Sequence, residues 1–391
     1  MMRKLLTHPK TMKRASLLAL LTTLNLGCMA LPERLEGERY SAEGPPFIAL
    51  QVPVRKPSPN LPMQNDLIHR VVLVGDTGVP MEQEPVLEQL GVWGNAHASK
   101  TSVLFLGDNV YPAGIEEDDV AAGEEILRKQ IASTDAARVF LPGNHDWGHA
   151  GKDRLLRQQN YLDLNGVAFI PRDGCPGPVL HPLLPAASAG TRGISAIAFD
   201  IDPWYFDKED VADCQGSATP EELAAQLGAL LQANRDQWLI VASHHPLRTG
   251  GPHGGFSRGA IADFITGTVL LLFGTLQDSY EEGYREIMTP IERALAASPP
   301  VVYAAGHDHN LQVLEGGAHA TLQVVSGAGS TPRVRGGYVT NIAGTLFAHG
   351  HPGFVVLDFI GHPGAEEVVL HVVETGSATP VFSMGVASHP D

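Results

Sequence analysis

The feature that most restricts how this chain can fold is a repeated local pattern. A short apolar run ends, time after time, in a glycine- or histidine-bearing turn crowded with carboxylates, amides and imidazoles. Val71–Val74 leads into Gly75-Asp76-Thr77-Gly78, Ser102–Leu106 into Gly107-Asp108-Asn109-Val110-Tyr111, and Val139–Leu141 into Pro142-Gly143-Asn144-His145-Asp146. Further along, Leu239–Ala242 leads into Ser243-His244-His245-Pro246 and Val301–Ala305 into Gly306-His307-Asp308-His309. Apolar runs this short suit strands buried on both faces. Polar residues gathered at the C-terminal ends of such strands belong to the edge where open α/β sheets carry their sites.

Helices fit between several of the runs. Thr219-Pro220-Glu221-Glu222 offers an N-cap, a proline at the first helical position and a glutamate at N3, followed by Leu223, Leu227, Leu230 and Leu231 on one face. Thr289-Pro290-Ile291-Glu292 repeats that start signal. The tail returns to β-type runs, Phe354–Phe359 and Val368–Val373, separated by Gly361-His362-Pro363-Gly364. Strands alternating with helices and then a strand-rich end predict an α/β (mixed α+β) fold of two packed sheets flanked by helices.

Composition bounds the function classes. The 391 residues, 43% hydrophobic and 18% charged, describe a globular chain long enough for one large domain or two ordinary ones. With 27 Lys+Arg against 43 Asp+Glu the net charge is −16, so no basic excess points to nucleic acid. An acidic chain still acts on anionic substrates where bound cations reverse the local field.

The N-terminus reads as an address. Arg3, Lys4, Lys10, Lys13 and Arg14 precede an apolar stretch, Ala15–Leu26, too short for a permanent membrane span, and residues 1–28 form a secretory signal. Leu24-Asn25-Leu26-Gly27-Cys28 resembles a bacterial lipoprotein box, which would lipidate Cys28 and attach the protein to a membrane; cleavage just after Ala30 is the competing reading. The protein is then exported, to a bacterial periplasm, the outer membrane or the medium. Residues 29–66, rich in proline, read as an extended tether, and 67–391 as the functional domain. Cys175 and Cys214 form an even remainder that suggests one disulfide, with two unpaired thiols as the alternative. Hydrolysis of a phosphate ester needs a nucleophile at moderate pH and neutralised phosphoryl oxygens. Two metal ions roughly 3.5–4 Å apart supply both. The mixed carboxylate, amide, phenol and imidazole set of the turns is of the kind such a pair requires.

GDTG, GDNVY, GNHD, SHHP and GHDH, in that order, resemble the calcineurin-like metallophosphoesterases. The absence of histidine after Asp76 and the presence of Tyr111 resemble the purple acid phosphatase branch, including its tartrate-resistant type. The resemblance implies a four-layer αββα sandwich of two packed mixed sheets flanked by helices. It implies one metal ion held by Asp76, Tyr111 and His309, a second held by Asn144, His244 and His307, and Asp108 bridging them. A phenolate ligand suits Fe(III), and the other set a divalent partner, Fe, Zn or Mn. His145 and His253 correspond to the family's substrate-contacting histidines, while Asp146 orients its neighbours.

Alternatives accompany several of these residues. The family has Gly-His where this chain has Ser243-His244-His245-Pro246, and spacing to Pro246 selects His244 over His245. Asn144 taken alone suits a helix cap. His253 taken alone suits a flexible Gly/Pro loop. His149, His349 and His351 read as ordinary surface or loop residues. The insertion at residues 254–298, with its apolar core Phe264–Phe273, reads as a lid, a membrane-facing loop or a buried helix.

The resemblance implies an acid phosphatase-like hydrolase that cleaves a small phosphorylated monoester by in-line attack of metal-bound hydroxide. The rivals are a phosphodiesterase using the same site, iron-centred redox chemistry, and a non-catalytic metal- or phosphate-binding protein.

Overall fold

The computed structural model describes residues 37–388 apart from 57–60, 81–83, 149–150, 186–190, 207–209, 256–277, 280, 331–336 and 363. The signal at 1–28, Cys28, His149 and the apolar core Phe264–Phe273 lie outside the described residues.

In chain order the strands are β1 (Arg39–Ser41), β2 (Phe47–Ile48), β3 (Leu67–Val74), β4 (Thr101–Phe105), β5 (Ala137–Phe140) and β6 (Ala168–Phe169). Then follow β7 (Val179–Leu184), β8 (Ile194–Ala198), β9 (Trp238–Ala242), β10 (Val302–Ala305), β11 (Leu311–Glu315) and β12 (Leu322–Ser326). The last are β13 (Tyr338–Thr340), β14 (Thr345–His349), β15 (Gly353–His362), β16 (Ala365–Glu374) and β17 (Phe382–Ser388). The helices are α1 (Pro85–Ala96), α2 (Val120–Ala132), α3 (Asn144–Trp147), α4 (Asp153–Leu164), α5 (Pro203–Phe206), α6 (Pro220–Ala233) and α7 (Glu282–Ala297).

A seven-stranded sheet runs β17-β16-β15-β3-β4-β5-β6 and an eight-stranded sheet β2-β14-β11-β12-β10-β9-β8-β7. Each holds a parallel core: β3 to β6 in the first, and β8, β9, β10 and β12 in the second. Antiparallel strands complete both. Val71, Leu73, Leu104 and Val139 of one sheet pack against Ala196, Ile240, Ala304 and Val324 of the other in a single buried core. Because strand side chains alternate, Val72, Val74, Val103 and Phe105 point the other way, onto Leu87, Leu90, Leu127 and Leu155 of the helices α1, α2 and α4. Likewise Ile197, Leu239, Val241 and Tyr303 meet Leu223, Leu227, Ile291 and Leu295 of α6 and α7. These are the four layers of the expected αββα sandwich.

Thr219 caps α6 as its sequence predicts, its hydroxyl accepting from the Glu222 N–H at 3.2 Å. The second start signal does not act. α7 begins at Glu282, and Pro290 sits inside it. Tyr284, Ile287, Met288, Ile291 and Leu295 form one buried stripe that runs through the proline, and this stripe outweighs the lost amide and the local cap. The loose tether also needs correction for its ordered part. β1 pairs with β13 and β2 with β14, so Arg39–Ser41 and Phe47–Ile48 are strands paired to the domain, with a turn between them. His349 is not a surface residue: it is buried, with Nδ1 on the Glu374 carboxylate and Nε2 toward the carbonyls of Ser41 and Gly44. Cys175 and Cys214 are disulfide-bonded, their Cα atoms 5.6 Å apart, as the cysteine count suggests.

One ion pair lies within the packed layers. Arg70 on β3 holds Asp358 on β15 through two bonds of 2.7 and 2.8 Å, with both side chains fully buried. The guanidinium also stacks on the Trp93 ring, 4.8 Å from its centroid. Removing one partner strands a charge, so Asp358→Ala should cost about 3–5 kcal/mol in urea unfolding. A loss below about 1 kcal/mol would show that water reaches Arg70.

Burial pushes His69 and His371 each down to about 4. Both are neutral in the fold at neutral pH, while the unfolded chain takes protons below about 6.5. Their contribution is therefore complete above pH 6.5 and is lost as pH falls toward 4, by roughly 3 kcal/mol per histidine. Unfolding midpoints measured between pH 7 and 4.5 should fall, and His69→Leu should make that slope shallower.

Candidate metal centre

The turns of the two parallel cores meet above the shared apolar layer. Asp76, Asp108 and Asn144 come from the seven-stranded sheet, and His244, His307 and His309 from the eight-stranded one. Close approach of these turns requires glycine. A side chain at Gly107, whose φ is +90°, would lie 2.6 Å from the Pro142 carbonyl and 2.7 Å from His244 Nδ1. Three other turn residues hold left-handed backbone without being glycine: Asp76 (φ 60°), Asp108 (φ 55°) and His307 (φ 70°). Strain of this kind collects where geometry matters more than local comfort.

Two groups of donor atoms result. In the first, the Tyr111 hydroxyl lies 3.0 Å from Asp76 Oδ1, 2.7 Å from Asp108 Oδ2 and 2.9 Å from His309 Nε2. His309 Nε2 is 3.3 Å from Asp76 Oδ1. Asp76, Asp108 and His309 each offer one ligand atom within 4.8 Å of the others. In the second group, Asn144 Oδ1 lies 3.0 Å from His244 Nε2 and 3.1 Å from His307 Nδ1. The two imidazole nitrogens are 3.2 Å apart, and Asp108 Oδ1 is 3.4 Å from His244 Nε2. The two oxygens of Asp108 thus face different groups.

The donor chemistry of the second group fits a cation. His244 Nδ1 donates to the Leu106 carbonyl at 2.8 Å. Burial lowers the His244 imidazole, but Asp108 and Asp76 beside it outweigh burial and push it up to about 10, so a cation here would take the place of the Nε2 proton and meet the lone pair at Nε2. That lone pair, the Asn144 oxygen and His307 Nδ1 converge on one point. Asp108 remains the nearby negative charge. Burial raises the Asp108 carboxyl, but His244 and His145 beside it reverse the effect and hold it below the ordinary carboxylate range. Burial and the charges of Asp108 and Asp76 push the Tyr111 phenol well above its usual value. Only a highly charged cation would take it as phenolate.

His145 stands at the rim. Its Nδ1 donates to the Pro112 carbonyl at 2.6 Å, its ring lies 4.3 Å from that of Tyr111, and Nε2 is 4.0 Å from Asp108 Oδ2. His253 is on the other side, its ring centroid 3.9 Å from that of His307. The structure therefore gathers all the residues drawn from the turns. It also separates the roles of His244 and His245: His245 Nε2 lies 3.7 Å from Asp202 Oδ1, outside both donor groups.

Several supporting residues carried weaker signals. Asp146 accepts from the amides of Gly143, Asn109 and Val110 and from the Asn109 side chain, at 2.9 to 3.0 Å. Gln130 on α2 accepts from the Thr77 hydroxyl at 3.0 Å and donates to the Asn109 carbonyl at 2.7 Å. Asp308 accepts from the Thr249 hydroxyl and, at 3.2 Å, from the His253 amide. Its place between His307 and His309 was the only local clue to Asp308, and Gln130 had none.

Comparison with known proteins agrees with this geometry. The family described as calcineurin-like phosphoesterase matches residues 69–311. No curated protein sequence matches the chain. Among solved structures, the chain is similar to GAP50, the anchor in the inner membrane complex of Plasmodium. The TM-score is 0.53 at 16% identity, covering 83% of this chain and 90% of that one. A putative 5'-nucleotidase from Staphylococcus aureus, solved in complex with alpha-ketoglutarate, aligns at a TM-score of 0.38 and 10% identity, over 81% of this chain and 54% of that one. With well over half of its length matched and the five turns gathered at one edge, the protein belongs to the calcineurin-like phosphoesterase family.

Proposed function

We propose that the protein is an exported phosphatase of the purple acid phosphatase type that hydrolyses small phosphate monoesters with two metal ions. The observation that carries this reading is Asp108, one carboxylate whose two oxygens face two separate donor groups. Asp76, Tyr111 and His309 would hold an Fe(III), and Asn144, His244 and His307 a divalent Fe, Zn or Mn. When bound, such a pair neutralises phosphoryl oxygens and lowers the pKa of water.

The chain's own residues supply the rest. The Pro112 carbonyl holds His145 through Nδ1, which leaves Nε2 as the nitrogen to contact a phosphoryl oxygen or the departing alkoxide. The backbone amide of His145 donates to Asp108 Oδ1 at 2.9 Å, so the same residue fixes the bridging carboxylate. The His307 amide does the same for Asp76 Oδ2 at 3.0 Å, turning the other oxygen toward Tyr111 and His309. The Cys175–Cys214 disulfide supports export, since such bonds persist in oxidising compartments.

His145→Ala should lower kcat on p-nitrophenyl phosphate by about 10²–10⁴-fold with metal content unchanged. Intact turnover would remove His145 from the reaction. A faster reaction with bis(p-nitrophenyl) phosphate than with the monoester would transfer the reading to a phosphodiesterase.

Purified protein should carry about two metal ions per chain, iron among them, with a broad visible absorption that Tyr111→Phe abolishes. Metal without that band would assign the centre to zinc or manganese. Metal-free protein that takes up none on titration would leave the non-catalytic reading.

A further inference from the structure

We propose that Asp278 is a positioning residue for His253, fixing its imidazole so that Nε2 is presented to substrate; the catalytic consequence rests on the phosphatase reading above. His253 Nδ1 lies 2.8 Å from Asp278 Oδ1. The Asp278 side chain is fully buried, while that of His253 is 23% exposed. A buried carboxylate needs donors, and the Nδ1–H supplies one. The two nitrogens sit on opposite sides of the ring, so securing Nδ1 on the buried side leaves Nε2 for a partner outside.

The main chain of His253 is held by other contacts. Its carbonyl accepts from the Ser279 amide at 2.8 Å and from the Ser279 hydroxyl at 3.2 Å. Its amide donates to Asp308 Oδ1 at 3.2 Å. These bonds set where the residue stands, but a histidine so placed can still rotate about its side-chain torsions. Asp278 removes that freedom, as the carboxylate of a hydrolase triad fixes the tautomer and direction of its imidazole. Packing 3.9 Å from the His307 ring, centroid to centroid, restricts the ring face further.

The rim thus carries two imidazoles anchored in the same manner, each by Nδ1. His145 is tied to a neutral carbonyl and His253 to a carboxylate. Asp278 lies within the 254–298 insertion, so the acceptor for His253 comes from the insertion itself.

The test uses the full-length, zinc-loaded protein. Proton NMR should show a downfield Nδ1–H signal that is absent from both His253→Ala and Asp278→Ala. On phenyl phosphate, Asp278→Ala should lower kcat about 10- to 100-fold with KM and zinc content little changed. Asp278→Asn, which keeps an acceptor oxygen, should recover much of that loss. The double variant with His253→Ala should be no slower than His253→Ala alone, because the carboxylate acts only through the ring.

Additive losses in the double variant, or unchanged kcat in Asp278→Ala, would overturn the proposal. Loss of zinc or of folding in both Asp278 variants would also overturn it, in favour of a structural role. A wild-type protein inactive on phosphate esters both as purified and after zinc loading would refute the phosphatase reading, and the downfield signal would then decide the His253–Asp278 pairing by itself.

Discussion

The site depends first on the Asp146 carboxylate, which gathers four N–H donors from two different turns. Burial and the neighbouring Asp108 push this carboxyl up to about 8, and the donors around it oppose that rise, because an ionised carboxylate offers only acceptors. The bonds tie Gly143 to Asn109 and Val110. They therefore fix the distance between the turn that carries Asp108 and Tyr111 and the turn that carries Asn144 and His145. Gln130 repeats the device on the other side, joining Thr77 to Asn109. Three consecutive turns of one sheet behave as a single body.

The opposing sheet contributes the remaining imidazoles, and its position is set by the apolar layer that both sheets share. Neither sheet alone assembles a donor group. Asp76 and Tyr111 need His309, and Asn144 needs His244 and His307. The His307 amide reaches Asp76 Oδ2, and His244 Nδ1 reaches the Leu106 carbonyl, so hydrogen bonds cross between the sheets at the site itself. Packing in the middle of the sandwich is in this sense part of the chemistry. A relative shift of the sheets by about 1 Å would misplace the two halves of each group.

Much of this was legible in the sequence because the relevant signals are local. An apolar run followed by Gly-Asp or Gly-Asn-His states both a strand and what its end carries, and the order of the turns identified the ligand candidates. Thr219 was legible for the same reason: a cap is decided within four residues. What stayed hidden was decided at long range. The start of α7 depends on a stripe of side chains packed against α6, which overrides the cap signal at Thr289. His349 looks like a loop residue until Glu374 and the carbonyls of Ser41 and Gly44 close around it. Asp278 and Asp308 are ordinary acidic residues in sequence, and only the fold sets them against His253, which the chain brings to them from 25 and 55 residues away.

Electrostatics and strain converge on the same few residues. Asp76, Asp108 and His307 occupy left-handed backbone at a cost of about 1–3 kcal/mol each, and a phenol is held between two carboxylates that oppose its ionisation. The hydrogen bonds among these residues oppose that cost, but a flexible loop would still relax it. Here the turns are short, begin at fully buried strand ends and are bonded to one another, so the sandwich holds them in place. The acidic excess of the chain as a whole would repel a phosphate ester. Cations drawn to the acceptors gathered at this edge would resolve that conflict locally, because they would present a positive surface to an anionic substrate.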